Sequence, residues 1–123
     1  MTVATQPILL VEDNPDTVEF LSKRLVEAGY NVKVARNGLD ALRIATSEHP
    51  AAIVMDINLP QMNGDEVCRQ LRQQPATSRI PVIFVTAETE QRVQDLLEPK
   101  LTVCLEKAIK SKTLLAALDD VLN

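Results

Sequence analysis

Aromatic residues, histidine and cysteine are scarce in this 123-residue sequence, which has no tryptophan. The two cysteines, Cys68 and Cys104, are far apart, form no Cys-x-x-Cys pair and lie beside no histidine. A structural zinc site is therefore excluded, because it needs several thiolate or imidazole ligands at short spacings. We interpret both cysteines as small buried hydrophobic residues, which suits a reducing compartment. The single histidine, His49, lies in a polar helix exit, and we interpret it as structural.

The sequence also lacks long apolar runs, a basic surplus and a glycine-rich nucleotide loop. No apolar run approaches a transmembrane span, and the first six residues lack the apolar core of a signal peptide. The net charge of −4 disfavours binding to nucleic acid or anionic membranes, since both need basic surface. No Gly-x-Gly-x-x-Gly follows a strand. We therefore expect a soluble cytoplasmic protein that binds neither nucleic acid nor membranes.

The overall composition is that of an ordinary globular protein, with 46% hydrophobic and 24% charged residues. A chain of this length fits one domain and leaves little room for a second. We predict a short N-terminal tail at 1–6 and a single domain at 7–123.

Short apolar runs alternate along the chain with longer amphipathic segments. The predicted strands are 8–11, 32–34, 51–55, 82–85 and 102–105; helices follow each, the fourth at 88–97 and the last at 111–122. The first helix has clear ends, because Asn14 is a good N-cap, Pro15 suits the first helical position and Gly29 suits a helix end. The second helix opens at 37–38 and carries three apolar residues at helical spacing: Leu39, Leu42 and Ala45.

This alternation predicts an open parallel sheet with helices on both faces. The third and fourth apolar runs are apolar at every residue, which is typical of strands buried on both sides. Right-handed crossover connections restrict the topology further. We predict an α/β protein with a flavodoxin-like (βα)5 doubly wound parallel sheet of strand order 2-1-3-4-5.

Polar residues follow the ends of four of the predicted strands. These residues are Glu12 and Asp13 after the first strand, Asp56 after the third, Thr86 after the fourth and Lys107 after the fifth. In the order 2-1-3-4-5 these four strands are neighbours, and ligands of open α/β sheets bind beyond the carboxyl ends of the strands. We therefore expect the five side chains to converge on one edge of the sheet.

The chemistry of this group favours phosphoryl transfer. Its three carboxylates repel one another, and a hard divalent cation such as Mg²⁺ at Asp13 and Asp56 would relieve the repulsion. A carboxylate can act as a nucleophile and form an aspartyl-phosphate. Lys107 offers a positive charge and Thr86 a hydroxyl donor for the phosphoryl oxygens, and such positioning and charge stabilisation are what the reaction needs.

Four motifs make the sequence resemble the receiver domain of two-component response regulators, of the single-domain type found in chemotaxis regulators. The motifs are Leu10-Val11-Glu12-Asp13-Asn14, the stretch 55–64 with Asp56, Pro60 and Gly64, then Val85-Thr86-Ala87, and finally Lys107. The resemblance covers residues 8–122. The second motif is the most specific, because an aspartate, a hydrophobe-proline pair and a glycine rarely occur together at this spacing after a buried strand.

The resemblance implies a phosphoacceptor site with a metal beside it. Asp56 accepts phosphate from a phosphohistidine on a sensor histidine kinase or a histidine phosphotransferase. Mg²⁺ is held by Asp13, Asp56 and the backbone carbonyl of Asn58, while Glu12 helps through a water molecule. Such a domain is regulatory and not an enzyme with a separate substrate, since it catalyses only its own phosphorylation and dephosphorylation.

The resemblance also implies how the phosphate is recognised and reported. Thr86 moves towards the phosphoryl group, Lys107 pairs with it, and Asn58 and Glu88 tune its loss to water. The signal passes to a downstream protein target or an attached effector, and a homodimer is possible.

The sequence departs from the family pattern around the fifth strand. Ala108 follows Lys107 where the family usually has proline, and Cys104 stands where the family usually has an aromatic residue. We hypothesise that the phosphorylation chemistry is intact while the switch region around this strand is atypical.

Two other functions are compatible with parts of the pattern. A pseudo-receiver would bind partners without phosphorylation, which the altered fifth strand favours and the complete acceptor set opposes. A phosphatase that forms an aspartyl-phosphate would carry a second aspartate two residues after the nucleophile, where this sequence has Asn58, which cannot act as a general acid.

Overall fold

The computed structural model describes residues 6–86, 102–106 and 111–122, and these form a parallel five-stranded sheet of order β2-β1-β3-β4-β5. The strands are β1 (Ile8–Val11), β2 (Val32–Ala35), β3 (Ala52–Met55), β4 (Val82–Thr86) and β5 (Thr102–Glu106). The helices are α1 (Pro15–Glu27), α2 (Gly38–Glu48), α3 (Gly64–Gln73) and α4 (Ser111–Leu122). The predicted fold class and strand order are confirmed, and the predicted helix 88–97 lies outside the described residues.

The strand register brings the carboxyl ends of the strands to one edge. Val11, the last residue of β1, is level with Ala35 of β2 and Met55 of β3. Met55 is in turn level with Phe84 of β4, and β4 runs alongside β5 to its end. Residues that follow β1 and β3 are therefore neighbours in space although they are far apart in sequence.

Each face of the sheet carries its own hydrophobic cluster, because successive side chains of a strand point to opposite faces. One cluster joins alternate strand residues to α1 and α4, with Ile8, Leu10, Val54, Leu21 and Leu118 among its members. The other joins the intervening strand residues to α2 and α3, with Leu9, Val11, Ile53, Ala45 and Leu71 among its members. Two helices on each face confirm the doubly wound arrangement. None of the described helices is long and apolar enough to span a bilayer.

The ends of α1 follow the predicted signals. The Asn14 side chain accepts hydrogen bonds from the backbone N–H groups of Asp16 at 2.9 Å and Thr17 at 3.2 Å. Pro15 occupies the first helical position. Gly29, just past the helix, has a φ of 98°, a left-handed conformation that glycine adopts without steric cost.

The predicted structural roles of His49 and Cys68 are also confirmed. His49 ends α2 in a left-handed conformation, and its N–H donates to the Ala45 carbonyl at 3.1 Å. Cys68 is a fully buried cysteine in the cluster beside α3. The side chain of Cys104 lies outside the described residues.

The core-facing side of α2 is formed by small residues. Its buried positions are Gly38, Ala41 and Ala45, while Leu42 packs partly against the cluster and Leu39 is 53% exposed. Leu39, one of the three residues predicted at helical spacing, therefore lies outside the core. Small side chains on the buried side let α2 lie close to the segment that leads into α3.

Candidate functional site

Three acidic side chains meet at the carboxyl edge of the sheet. Each of Glu12, Asp13 and Asp56 offers a carboxylate oxygen, and these oxygens all lie within 4.8 Å of one another. Glu12 is 3% exposed and Asp56 5% exposed, whereas Asp13 is exposed to solvent. The convergence predicted for these three carboxylates is thus observed, with two of them buried.

The carboxylate of Glu12 is fixed between the sheet and the start of α1. Its backbone N–H donates to the Ala35 carbonyl at 3.0 Å, which extends the β1–β2 pairing by one residue. Its side-chain Oε2 accepts a hydrogen bond from the backbone N–H of Asn14 at 3.1 Å. Since Asn14 also caps α1, the carboxylate lies beside the positive end of the helix dipole, which favours negative charge there.

Hydrogen bonds fix both the backbone and the side chain of Asp56. Its N–H donates to the Val11 carbonyl at 3.1 Å, so it continues the pairing of β3 with β1. Its Oδ1 accepts a hydrogen bond from the backbone N–H of Asn58 at 3.2 Å. A carboxylate oriented in this way and largely removed from water is a well-positioned ligand or nucleophile.

The segment 57–63, which we call the acceptor loop, folds back beneath Asp56. Ile57 and Leu59 are buried and anchor the loop, while Asn58 between them is exposed. The N–H of Gly64 donates to the Ile57 carbonyl at 2.7 Å and closes the loop. Gln61 has a φ of 71°, a left-handed conformation that is uncommon for a residue with a side chain.

Gly64 touches the acceptor residue directly. A Cβ atom at position 64 would lie 2.3 Å from the backbone carbonyl oxygen of Asp56 and 3.0 Å from the Cα of Ile57. No side chain fits in that space without moving the backbone. The glycine of the predicted motif is therefore required by close packing of α3 against Asp56.

The other two predicted site residues lie at the end of β4 and after β5. Thr86 is the last residue of β4, and its backbone pairs with Glu106, the last residue of β5. Lys107 follows Glu106 in sequence but lies outside the described residues, as do Glu88 and Ala108. The backbone of Thr86 thus lies at the same edge as the carboxylates.

The donor set fits a hard divalent cation. Ligands on opposite sides of a six-coordinate Mg²⁺ lie about 4.2 Å apart, since each Mg–O bond is about 2.1 Å long. The carboxylate oxygens of Glu12, Asp13 and Asp56, which lie within 4.8 Å of one another, therefore need only small movements to approach one ion. Oxygen atoms are also the ligands that this ion prefers.

A parallel doubly wound sheet with buried acidic residues at its carboxyl edge is the arrangement expected from the resemblance to receiver domains. The family described as the response regulator receiver domain matches residues 8–119, and the chain belongs to that family. It is thus a regulatory domain of the kind found in two-component systems.

Similar proteins include regulators and isolated receiver domains. The chain is 42% identical over 84 residues to the alkaline phosphatase synthesis transcriptional regulatory protein PhoP of Bacillus subtilis, covering 68% of this chain and 34% of PhoP. Full-length relatives are longer: the aligned segments span between 20% and 36% of their lengths.

Solved structures of receiver domains match nearly the whole chain. The chemotaxis protein CheY4 of Vibrio cholerae is 31% identical, with a TM-score of 0.86, covering 97% of this chain and 100% of that one. The receiver domain of sensor histidine kinase PA1611 from Pseudomonas aeruginosa is 32% identical, with a TM-score of 0.83, covering 98% of this chain and 100% of that one. The latter holds a magnesium ion in its active-site cleft.

Two features of the site were not predicted from the sequence. One is the hydrogen bond from the N–H of Asn14 to Glu12, because the sequence indicates only a capping role for Asn14. The other is the packing of Gly38, at the start of α2, against Met62 of the acceptor loop. The only sequence signal for it is a glycine, a weak helix former, at the first position of α2, and this does not identify the segment that comes close.

Proposed function

We propose that this domain is a phosphoacceptor switch in which Asp56 takes a phosphoryl group from a phosphohistidine on a sensor histidine kinase or a histidine phosphotransferase. The observation that carries the proposal is the buried carboxylate of Asp56, oriented by Asn58 and grouped with Glu12 and Asp13 at the edge of the sheet. A carboxylate in this setting can attack phosphorus. If Asp56 served only in a structural ion pair, there would be no reason for two other carboxylates to lie beside it.

In the proposed reaction an oxygen of Asp56 attacks the phosphorus of the phosphohistidine. The new O–P bond forms as the N–P bond breaks, and the bond electrons leave with the imidazole nitrogen. The product is an acyl phosphate, which water later hydrolyses by attack on phosphorus, and this restores the carboxylate. Burial of Asp56 restricts the approach of water, while the hydrogen bond from Asn58 keeps one oxygen in a defined direction.

The acidic cluster would hold Mg²⁺ through Asp13, Asp56 and the backbone carbonyl of Asn58, with Glu12 acting through a water molecule. When bound, the ion would neutralise negative charge on the carboxylates and the phosphoryl oxygens. The burial of Glu12 supports this division, because its carboxylate already accepts a hydrogen bond from Asn14, whereas Asp13 is exposed.

Thr86 and Lys107 are proposed to contact the remaining phosphoryl oxygens. The end of β4 at Thr86, level with the end of β5, supports this role, because Lys107 follows directly in sequence. In the proposed switch Thr86 moves towards the phosphate and reports its arrival. The domain, with proposed boundaries 7–123, would signal in the cytoplasm to a target protein or an attached effector, as a monomer or a homodimer.

Phosphorylation by a small-molecule donor tests the proposal. The chain is incubated with acetyl phosphate and Mg²⁺, and intact mass is recorded for the wild type and for Asp56→Asn. We expect the mass of one phosphoryl group to be added to the wild type alone. No mass should be added when Mg²⁺ is chelated before the donor is supplied. Equal modification of Asp56→Asn, or none of the wild type, would contradict the proposal; unchanged partner binding by Asp56→Asn would then favour the pseudo-receiver.

A further inference from the structure

The chain contains only three glycines, and two of them are the first residues of helices that pack closely against the acceptor loop or Asp56. Gly64, the first residue of α3, packs against the backbone of Asp56. Gly38, the first residue of α2, packs against Met62, near the far end of the loop. Around the third, Gly29, no atom of the described residues lies within 4 Å of the space that a Cβ would occupy.

The nearest atom to the space beside Gly38 belongs to the loop backbone. A Cβ atom at position 38 would lie 2.5 Å from the carbonyl oxygen of Met62, 2.8 Å from the Cβ of Met62 and 2.9 Å from a methyl carbon of Val67. Because the shortest of these approaches is to a backbone oxygen, a change of side-chain conformation cannot relieve it. Either the loop or the first turn of α2 would have to move.

The conformation of Met62 is tied to the rest of the acceptor loop. Its N–H donates to the Pro60 carbonyl at 2.8 Å, across the left-handed residue Gln61. Its side chain packs partly against the core cluster and its sulfur accepts a weak hydrogen bond from the Gln70 amide at 3.7 Å. A displacement of the Met62 carbonyl therefore has few ways to be absorbed locally before it reaches Asn58.

The first turn of α2 is itself fixed by its own capping hydrogen bonds. The Asn37 side chain accepts a hydrogen bond from the backbone N–H of Asp40 at 2.8 Å, and Ala41 N–H donates to the Asn37 carbonyl at 3.1 Å. Glycine is a weak helix former, so its presence at position 38 does not serve the helix. It serves the close approach to the loop.

We propose that Gly38 is a positioning residue for the acceptor site: by letting the first turn of α2 close onto the carbonyl of Met62, it holds the acceptor loop in the conformation that presents Asp56 and the Asn58 carbonyl. This inference rests on the proposed phosphoacceptor function. Gly38 touches neither the carboxylates nor the phosphoryl donor and acts through the loop. A movement of the turn between β2 and α2 would therefore change the position of the acceptor loop and of Asp56.

Substitution of Gly38 and of Gly29 separates an effect on the position of the loop from an effect on stability. Gly38→Ala introduces a clash with the loop, while Gly29→Ala strains a left-handed backbone at a φ of 98° and adds no contact near the site. For each variant we would measure the free energy of unfolding in urea, the Mg²⁺ dissociation constant from amide shifts of the loop, and the rate of phosphorylation by acetyl phosphate.

We expect Gly38→Ala to slow phosphorylation about ten- to a hundredfold, because small misplacements of reacting groups have effects of this size. Its Mg²⁺ dissociation constant should rise, and its amide shift changes should extend from position 38 into the loop at 57–63. Gly29→Ala should lose stability while keeping both site measurements within about twofold of the wild type. Unchanged site measurements in Gly38→Ala, or equal losses in both variants at equal stability, would overturn the inference.

A second variant covers the case in which Gly38→Ala does not fold. Asn37→Ala removes the cap of α2 without adding an atom near the loop, and helix caps of this kind can be lost without unfolding a domain. We expect weaker Mg²⁺ binding and slower phosphorylation than in the wild type, with faster amide exchange in the first turn of α2. Normal site measurements despite that exchange would overturn the inference. A wild-type chain that accepts no phosphoryl group would instead overturn the proposed function, and the inference with it.

Discussion

Gly64 illustrates how a residue without a side chain controls the geometry of a reactive one. The carbonyl of Asp56 occupies the space that any Cβ at position 64 would need, so α3 can begin directly beneath the acceptor. The N–H of the same glycine closes the acceptor loop onto Ile57. One residue thus sets both the position of Asp56 and the path of the chain that follows it.

Gly64→Ala should therefore affect both stability and chemistry. The 2.3 Å approach to a backbone oxygen requires a shift of α3 or of Asp56, and overpacking of this kind costs about 1–3 kcal/mol of unfolding free energy. We also expect slower phosphorylation by acetyl phosphate. Glu66→Ala, an exposed change in the same helix turn, is the control and should lie within about 0.5 kcal/mol of the wild type. A Gly64→Ala variant with wild-type stability and rate would contradict this account.

At the level of elements, sequence signals predicted α1 well because its ends are decided locally. An asparagine cap, a proline at the first position and a glycine beyond the end each act within one turn, so no tertiary information is needed. The exposed position of Leu39 in α2 had no such signal, because which side of a helix is buried depends on its neighbours. There Gly38 must approach Met62, and this turns Ala41 inward and Leu39 outward.

The two asparagines at the starts of α1 and α3 allow a matched test of capping. Asn14 accepts two backbone hydrogen bonds with its side chain, whereas Asn63 makes no side-chain capping bond. Asn14→Ala should lower the unfolding free energy by about 1 kcal/mol, and Asn63→Ala should change it by less than about 0.5 kcal/mol, as measured in urea. Because the N–H of residue 14 remains to bind Glu12, Mg²⁺ binding should survive in Asn14→Ala. Equal losses in the two variants would refute the assignment.

For the molecule as a whole, the acidic edge links metal binding to stability. A ligand that binds only the folded chain stabilises it by about 2.7 kcal/mol at one hundred times its dissociation constant. For a domain of this size such a gain corresponds to a rise of about 10 °C in Tm. We expect this rise with Mg²⁺ in thermal unfolding, and little rise for Asp13→Asn or for a monovalent salt at equal ionic strength. A similar rise in all three samples would indicate a general salt effect.

The overall topology and the three carboxylates could be predicted because both follow from general rules. Apolar runs mark buried parallel strands, and carboxyl ends of neighbouring strands share an edge, so Glu12, Asp13 and Asp56 had to be near one another. Burial of Glu12 and the support of the loop from α2 could not be predicted in this way, because they depend on packing distances between distant segments. The predicted contributions of Lys107, Ala108 and Cys104 remain predictions.

The strand order has a consequence for the order in which this domain can assemble during synthesis. β1 is made before the other four strands and ends inside the sheet, yet both of its neighbours, β2 and β3, are complete by Met55. The strands and side chains that form the acidic edge are therefore all made once Asp56 has been added, whereas β4, β5 and α4 come from the later part of the chain. Because a domain generally folds as a unit, we expect the acidic edge to form only when those later elements are available to cover the core.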